Sequence, residues 1–231
     1  IKAGARCIKL MASGGALDED VDEVGAPQLT VAEMCAAVEE ANKAGRTVAA
    51  HAHSLTAIHN ALDSGVHSIE HGTFLDDTAA ERMSRTGTAL IPTLSTVAAV
   101  LAQADSGGVP PSVRGNAEVL AARGGAALRH AREHRVPLVA GSDSGVPGQP
   151  HSRLHAEVAA MVSAGAPVTD ALRAATSNAA RLLGLGADHG TLETGKRADF
   201  VVVRGDLADD VTALAQPDMV VLGGVVVDAK A

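Results

Sequence analysis

Short apolar runs alternate with helical patterns along most of this chain, and this alternation limits the folds available to it. The runs lie at 5–11, 46–50, 66–70, 88–92 and 136–140, with longer segments between them. Apolar runs of this length, separated by helix-forming segments, are typical of a parallel sheet or barrel built from β/α units. The sequence therefore predicts an α/β fold.

The helices carry recognisable start and stop signals. Thr30 and Glu33 have the spacing of a capping box, and Gly45 marks the end of the helix that they open. Thr169 has the residue type of an N-cap, and Gly184 follows the last helical pattern. We expect the remaining helices at 54–64, 76–85, about 111–134 and 152–164, with one continuous helix over 169–183.

The pattern changes after Gly184 to short valine-rich runs separated by Gly, Asp and Pro. Gly223 and Gly224 stand between two of these runs, which is the pattern of a β-hairpin. We therefore expect two parts, an α/β region over 1–184 and a small β-rich segment over 185–231.

Composition excludes several classes of function. The chain has 231 residues, 46% hydrophobic and 20% charged, enough for one sizeable core. A net charge of −8 without a run of Lys or Arg argues against binding to nucleic acid or to an anionic membrane. No apolar stretch reaches the roughly 18 residues of a membrane span. With no signal-peptide pattern, and with Cys7 and Cys35 read as buried thiols, we expect a cytoplasmic protein.

Four polar residues stand at the ends of predicted strands: Lys9, His51, His71 and Asp143. Side chains at the carboxyl ends of parallel barrel strands converge on one mouth. Imidazole and carboxylate are ligands of zinc and similar ions, and a bound ion lowers the pKa of its water toward about 7 and polarises carbonyls. The pattern therefore favours metal-assisted hydrolysis, with Asp143 as a proton shuttle.

Lys9 fits this site less directly than the other three residues. A lysine ammonium must lose a proton before it can bind a metal, so Lys9 suits a ligand role only when modified. The alternative is that its aliphatic stem packs under the barrel rim while its ammonium pairs with an acid of 18–23. That acidic run itself fits a solvated loop, with a lid over the site as the alternative.

Five segments carry a resemblance to a known family: IKLMASGG, AAHAHS, SIEHGTFLD, LVAGSDSGVPG, and LRAATSNAARLLGL with GTLETGKRADFVVV after it. They resemble the metal-dependent amidohydrolase superfamily, in its imidazolonepropionase-like and Xaa-Pro dipeptidase branch, over nearly the whole chain. The resemblance implies a (β/α)₈ barrel with a small β-sandwich built from both chain ends. It also implies hydrolysis of a C–N amide bond by metal-activated hydroxide.

The resemblance implies a role for each of the four residues. Lys9 would be a carboxylated lysine that bridges two metal ions, and His51 and His71 would bind the second ion. Asp143 would bind the first ion and handle the proton of the attacking water. Zinc is the expected metal, as one or two ions in the intact protein.

One feature of the family is missing from the sequence. The family carries an HxH pair on the first barrel strand, whereas here no strand precedes that of Lys9, and of His51 and His53 only His51 matches a family ligand. We therefore expect a fragment whose upstream part is missing: a partial TIM barrel with strands four to eight and the C-terminal part of the β-sandwich.

Three further residues are candidates for substrate binding. His53 and His151 lie in predicted loops after strands, and Arg153 could pair with a substrate carboxylate as a fork donor. An arginine in this position is more often a surface charge at a helix start.

Two functions remain open from the sequence. The first is a metal-dependent hydrolase of small amides, either Xaa-Pro dipeptides or N-acyl amino acids. The second is a non-catalytic barrel fragment that binds at most one metal ion. In that case the open edge of the strand at 5–11 would favour association with another copy of the chain.

Overall fold

A computed structural model describes residues 1–18 and 25–229. Its centre is a parallel sheet whose four strands are neighbours in chain order. The strands are β1 (Cys7–Met11), β2 (Thr47–Ala52), β3 (Ser68–His71) and β4 (Ala89–Ile91). The predicted α/β fold with a parallel sheet is thus confirmed.

Helices connect and follow these strands. They are α1 (Val31–Lys43), α2 (Leu55–Ser64), α3 (Asp77–Thr86), α4 (Leu94–Asp105), α5 (Pro111–Glu133), α6 (Leu154–Ser163), α7 (Val168–Ala175) and α8 (Ser177–Leu182), with a 3₁₀ helix at Val211–Ala215. Among the described residues, no helix has both the length and the apolar content to cross a membrane. The cytoplasmic location remains a prediction.

The core lies between one face of the parallel sheet and the helices that cover it. Val48, Ile69 and Leu90 on the strands are buried together with Met34 of α1 and Ile58 of α2. Because side chains alternate between the two faces of a strand, the opposite face carries a separate set of residues. Strand register places Lys9, His51 and Glu70 on that second face.

The predicted strand at 136–140 is shorter than expected. Only a single parallel bridge forms, between Leu138 and Leu90, with two backbone hydrogen bonds around it, from Leu90 N to the Pro137 carbonyl and from Val139 N to the Leu90 carbonyl. Pro137 has no N–H to donate, which limits the ladder at this position. The segment nevertheless runs beside β4, and it leads directly to Asp143.

One helix prediction is corrected, and one helix was missed. The helix expected over 169–183 with Thr169 as its cap begins instead at Val168 and is interrupted at Thr176, whose backbone (φ −126°, ψ −94°) is not helical. Helix α4 was not predicted. Its N-cap residue, Thr93, has the residue type of a cap, but its left-handed backbone (φ 49°, ψ 39°) gives the helix no side-chain cap hydrogen bond.

A second sheet follows the helices. It is antiparallel, with β5 (Phe200–Val202), β6 (Met219–Leu222) and β7 (Val225–Ala229). Gly223 and Gly224 connect β6 to β7 with φ values of 58° and 81°, as a tight hairpin requires, so the predicted hairpin is confirmed. The division of the chain at residue 184 remains a prediction.

Both cysteines are exposed, which corrects the expectation of buried thiols. Cys7 lies at the start of β1. Within residues 1–18 and 25–229, β2 is the one strand that pairs with β1. Cys35 lies on α1 next to the buried Met34, at an exposed position of the helix.

The capping box of α1 generates a stability prediction. The Thr30 hydroxyl accepts a hydrogen bond from Glu33 N (3.3 Å), and the Glu33 carboxylate accepts one from Thr30 N (2.8 Å). Thr30→Ala should lower the free energy of unfolding by about 1 kcal/mol, measured by urea denaturation. Thr56→Ala, an exposed position inside α2, is the control and should not destabilise. Equal stability of Thr30→Ala and the wild type would contradict the prediction.

Candidate functional site

Three histidines lie together at the carboxyl end of the parallel sheet. His51 is near the end of β2, His53 follows that strand, and His71 is the last residue of β3. A ligand nitrogen from each lies within 4.8 Å of the other two, and the ring centroids are 4.5 to 4.7 Å apart. All three are at most 8% exposed. We call this group the histidine cluster.

The backbone around the cluster is shaped to bring the rings together. His71 has a left-handed backbone (φ 70°), and Gly72 follows with φ 57°. A Cβ at Gly72 would clash with Leu90, so glycine allows the close approach of this turn to β4. On the other side, a Cβ at Gly15 would lie 3.1 Å from His51 Nε2 and 3.7 Å from His53 Nε2. The loop after β1 therefore lies directly against the cluster.

Threonine hydroxyls orient two of the rings. Thr93 Oγ1 lies 2.6 Å from His71 Nδ1 and donates its own proton to the Pro92 carbonyl (2.8 Å). In that arrangement the hydroxyl accepts a hydrogen bond from Nδ1–H of His71. His71 Nε2 then carries the free lone pair. His53 Nδ1 makes a similar contact with Thr73 Oγ1 at 2.8 Å.

Burial keeps the cluster uncharged. Desolvation is the largest cause of the pKa shift of each histidine. The pKa of His53 falls to about 3, and that of His71 falls well below its ordinary value. The pKa of His51 is also lowered. The neighbouring rings and Lys9 lower the pKa of His53 and His71 further. At neutral pH the three imidazoles are therefore neutral, the protonation state that can bind a metal.

Lys9 and Asp143 lie around this cluster. Lys9 is in the middle of β1 and is exposed, not buried at the strand end, yet its charge acts on all three histidines. Asp143 is half-buried with a left-handed backbone (φ 46°), and its charge acts on His51 and on Glu70. All four predicted residues therefore face one region of the molecule.

The other two candidates for substrate binding are placed differently. His151 and Arg153 are exposed, and Arg153 occupies the N-cap position of α6 without a side-chain cap. They lie outside the histidine cluster, whereas His53, expected only as a loop residue, is part of it.

The expected acidic loop lies largely outside the described residues, which exclude 19–24. Asp18 itself accepts a hydrogen bond from Gly15 N at 2.6 Å, and its carbonyl accepts one from Asn116 Nδ2 at 2.7 Å. It thus belongs to the loop that covers His51.

Two acids, the half-buried Glu70 and the fully buried Glu157, were missed in the sequence. Glu70 pairs with His51 in the sheet register, and burial raises its pKa. Glu157 of α6 is fully buried, and burial likewise raises its pKa. The available signal was an acid within an apolar run, SIEH for Glu70 and LHAEVAAMVS for Glu157.

The histidine cluster fits a divalent metal ion. Three buried, neutral imidazoles converge with at least one nitrogen held free by its hydrogen-bond partner, and a carboxylate lies nearby. Zinc and related borderline ions prefer such nitrogen and oxygen donors, and catalytic sites commonly have three protein ligands.

Comparisons with known proteins agree with this architecture. An uncharacterized protein of Mycobacterium tuberculosis is 33% identical over 96% of this chain, and ochratoxinase of Aspergillus niger is 31% identical over 95%. The crystal structure of a Xaa-Pro dipeptidase with bound methionine in its active site superposes with a TM-score of 0.91 at 34% identity, over 99% of this chain.

These relatives are longer than the chain. It spans 58% of the mycobacterial protein, 45% of ochratoxinase and 56% of the dipeptidase chain. The model of the amidohydrolase family matches residues 1–227, nearly the full length. The chain therefore belongs to the amidohydrolase family.

Proposed function

We propose that the protein is a metal-dependent hydrolase of C–N amide bonds. The observation that carries this proposal is the cluster of three buried, neutral imidazoles at the carboxyl end of the parallel sheet, with the Asp143 carboxylate close enough to act on His51. Membership of the amidohydrolase family supports the same reaction class.

The metal would be zinc, as one or two ions in the intact protein. Asp143 would hold a first ion, His51 and His71 would hold a second, and Lys9 would contribute as a carbamate. A bound divalent ion supplies Lewis-acid chemistry, in that it polarises a carbonyl and makes water a stronger nucleophile near neutral pH. His53 is a further candidate ligand, because its ring stacks on that of His71 at 4.6 Å between centroids.

The chain's own residues would bind the substrate and transfer the proton of the attacking water. The Asp143 carboxylate would take the proton of the attacking water and pass it to the leaving amine. His151 and Arg153 would contact the substrate, with the guanidinium of Arg153 as a two-pronged donor to a free carboxylate. Xaa-Pro dipeptides and N-acyl amino acids both present such a carboxylate.

The architecture that we propose is a partial TIM barrel. In this interpretation β1 to β4 and the segment at 136–140 are barrel strands four to eight, and residues 185–231 are part of a small β-sandwich. The TM-score of 0.91 with the longer dipeptidase supports this assignment. The remaining ligands would come from parts of the full-length protein that correspond to the rest of that dipeptidase.

A second candidate function rests on the open edge of β1. Within residues 1–18 and 25–229, β1 is the outer strand of the parallel sheet, and β2 is its one neighbour. Unpaired strand edges invite pairing with another chain. The alternative is thus a non-catalytic fragment that binds at most one metal ion and associates with another copy.

We expect Asp143→Asn to lower kcat for amide hydrolysis by about 10²- to 10⁴-fold in the full-length protein, because the amide cannot take up the proton. Turnover is measured with a panel of Xaa-Pro dipeptides and N-acyl amino acids. Asp188→Asn, an exposed position, is the matched control and should keep wild-type turnover. An unchanged kcat in Asp143→Asn would contradict the proposed role.

Glu157 would position His71 and Asp143 without contacting either of them. Its carboxylate accepts hydrogen bonds from Leu94 N (3.0 Å) and Ser95 N (2.7 Å), so it caps α4 in place of Thr93. Thr93 is thereby free to hold His71.

The same end of α4 also contacts the backbone next to Asp143. Thr96 Oγ1 donates to the Ser142 carbonyl at 3.1 Å. Gln149 Nε2 donates to that carbonyl and to Ser95 Oγ, both at 2.9 Å. Helix α4 therefore links the position of His71 to that of Asp143.

Glu157→Gln places an amide group where two backbone N–H donors need acceptors. A buried donor without an acceptor costs about 1–3 kcal/mol, so we expect a loss of stability of that size. We also expect kcat to fall about tenfold with little change in KM, and the ¹⁵N shifts of His71 to show a mixture of tautomers. Wild-type kcat and an unchanged His71 spectrum in Glu157→Gln would show that Glu157 only stabilises the fold.

A further inference from the structure

A second group of potential metal ligands lies on the surface between α3 and α5. Asp77 Oδ1 lies 2.8 Å from His130 Nδ1 and 3.1 Å from His134 Nε2. A carboxylate oxygen of Glu133 lies within 4.8 Å of the ligand atoms of both Asp77 and His130. We call these four residues the α3–α5 site.

This site is separate from the histidine cluster. Asp77 is the first residue of α3, and the other three residues lie at the last turn and C-cap of α5. Its side chains are partly open to solvent, with 24% exposure for His130, 30% for His134 and 67% for Asp77. None of them has a role in the proposed amide hydrolysis.

We propose that the α3–α5 site binds one divalent transition-metal ion of the zinc type, through His130 Nδ1, His134 Nε2 and the Asp77 carboxylate. Glu133 or a water molecule would complete the coordination. The ion would join the start of α3 to the end of α5.

The donor types favour zinc, cobalt or nickel over calcium or magnesium. Two imidazole nitrogens with one carboxylate suit borderline ions, whereas calcium and magnesium prefer oxygen donors alone. His130 and His134 are four residues apart in sequence, so their side chains leave the same face of α5. Neither needs to cross the helix to reach a common ion.

The separations of the two imidazole nitrogens from Asp77 Oδ1 are close to those of a tetrahedral site. Bonds of about 2.0 Å to a tetrahedral ion place the ligand atoms about 3.3 Å apart. The two measured separations, 2.8 and 3.1 Å, therefore need to widen by only a few tenths of an ångström. Half-exposed side chains at helix ends can make such an adjustment without disturbing the core.

Binding at this site would stabilise the fold. The two hydrogen-bonded pairs join residues that are 53 and 57 positions apart in sequence. The unfolded chain does not hold these ligands together, so an ion that binds only the folded state raises the melting temperature.

The same side chains also form a complete hydrogen-bonded group without an ion, with both imidazoles donating to Asp77. This is the alternative that the experiment must separate from metal binding. In that case zinc would neither bind at the site nor change the melting temperature through it.

The test is the zinc content of the whole chain after removal of metal and equilibrium dialysis against zinc at pH 7.5, measured by plasma mass spectrometry. We expect the wild type to hold one zinc ion more than His130→Ala and than His134→Ala. His155→Ala, a half-buried histidine of α6, is the matched control and should hold as much zinc as the wild type. Circular dichroism of the metal-free variants checks their fold.

A second measurement follows the effect on stability. Zinc should raise the melting temperature of the wild type more than that of His130→Ala, and Asp77→Asn should weaken binding at least tenfold. Equal zinc contents in the wild type, His130→Ala and His134→Ala would overturn the proposal and leave the hydrogen-bonded group as the role of these residues.

Discussion

The burial of three imidazoles against one another governs the chemistry of this structure. His51, His53 and His71 are withdrawn from water, and a protonated ring there would lack solvation and would repel its neighbours. The rings are therefore neutral, with lone pairs confined to a small volume. Burial of such polar groups lowers the stability of the fold unless a partner binds their lone pairs. A divalent ion would use them, and it would also draw in the Asp143 carboxylate.

The cluster depends on contacts that reach well beyond it. Strand register places His51 beside Glu70, while the turn at Gly72 brings His71 across to its neighbours. Helix α4 then connects both halves of the site, because Glu157 replaces the missing cap and releases Thr93 for His71. Glu157, a buried acid that contacts none of these residues, thus holds the helix start whose threonines contact His71 and the backbone next to Asp143.

Much of this arrangement could be predicted from local patterns. Strand ends locate His51 and His71, whereas Lys9 lies in the middle of β1. The capping box at Thr30 and the hairpin at Gly223 form as expected. Most of the failures share a physical cause, which is that a residue distant in sequence decides the local structure, whereas the strand at 136–140 is limited by a proline of its own. Helix α4 has its cap on α6, the strand at 136–140 is limited by Pro137, and His53 joins the cluster only because the turn after β3 folds back toward β2.

The most direct test of this account is the metal content of the histidine cluster. The chain is prepared with His130→Ala to remove the surface site, purified without chelators, supplied with bicarbonate and analysed by plasma mass spectrometry. We predict about one equivalent of tightly held metal, lost on adding His51→Ala or His71→Ala and retained on adding His59→Ala. Absence of metal from the parent, or equal metal in all four proteins, would contradict the assignment of the cluster as a metal site.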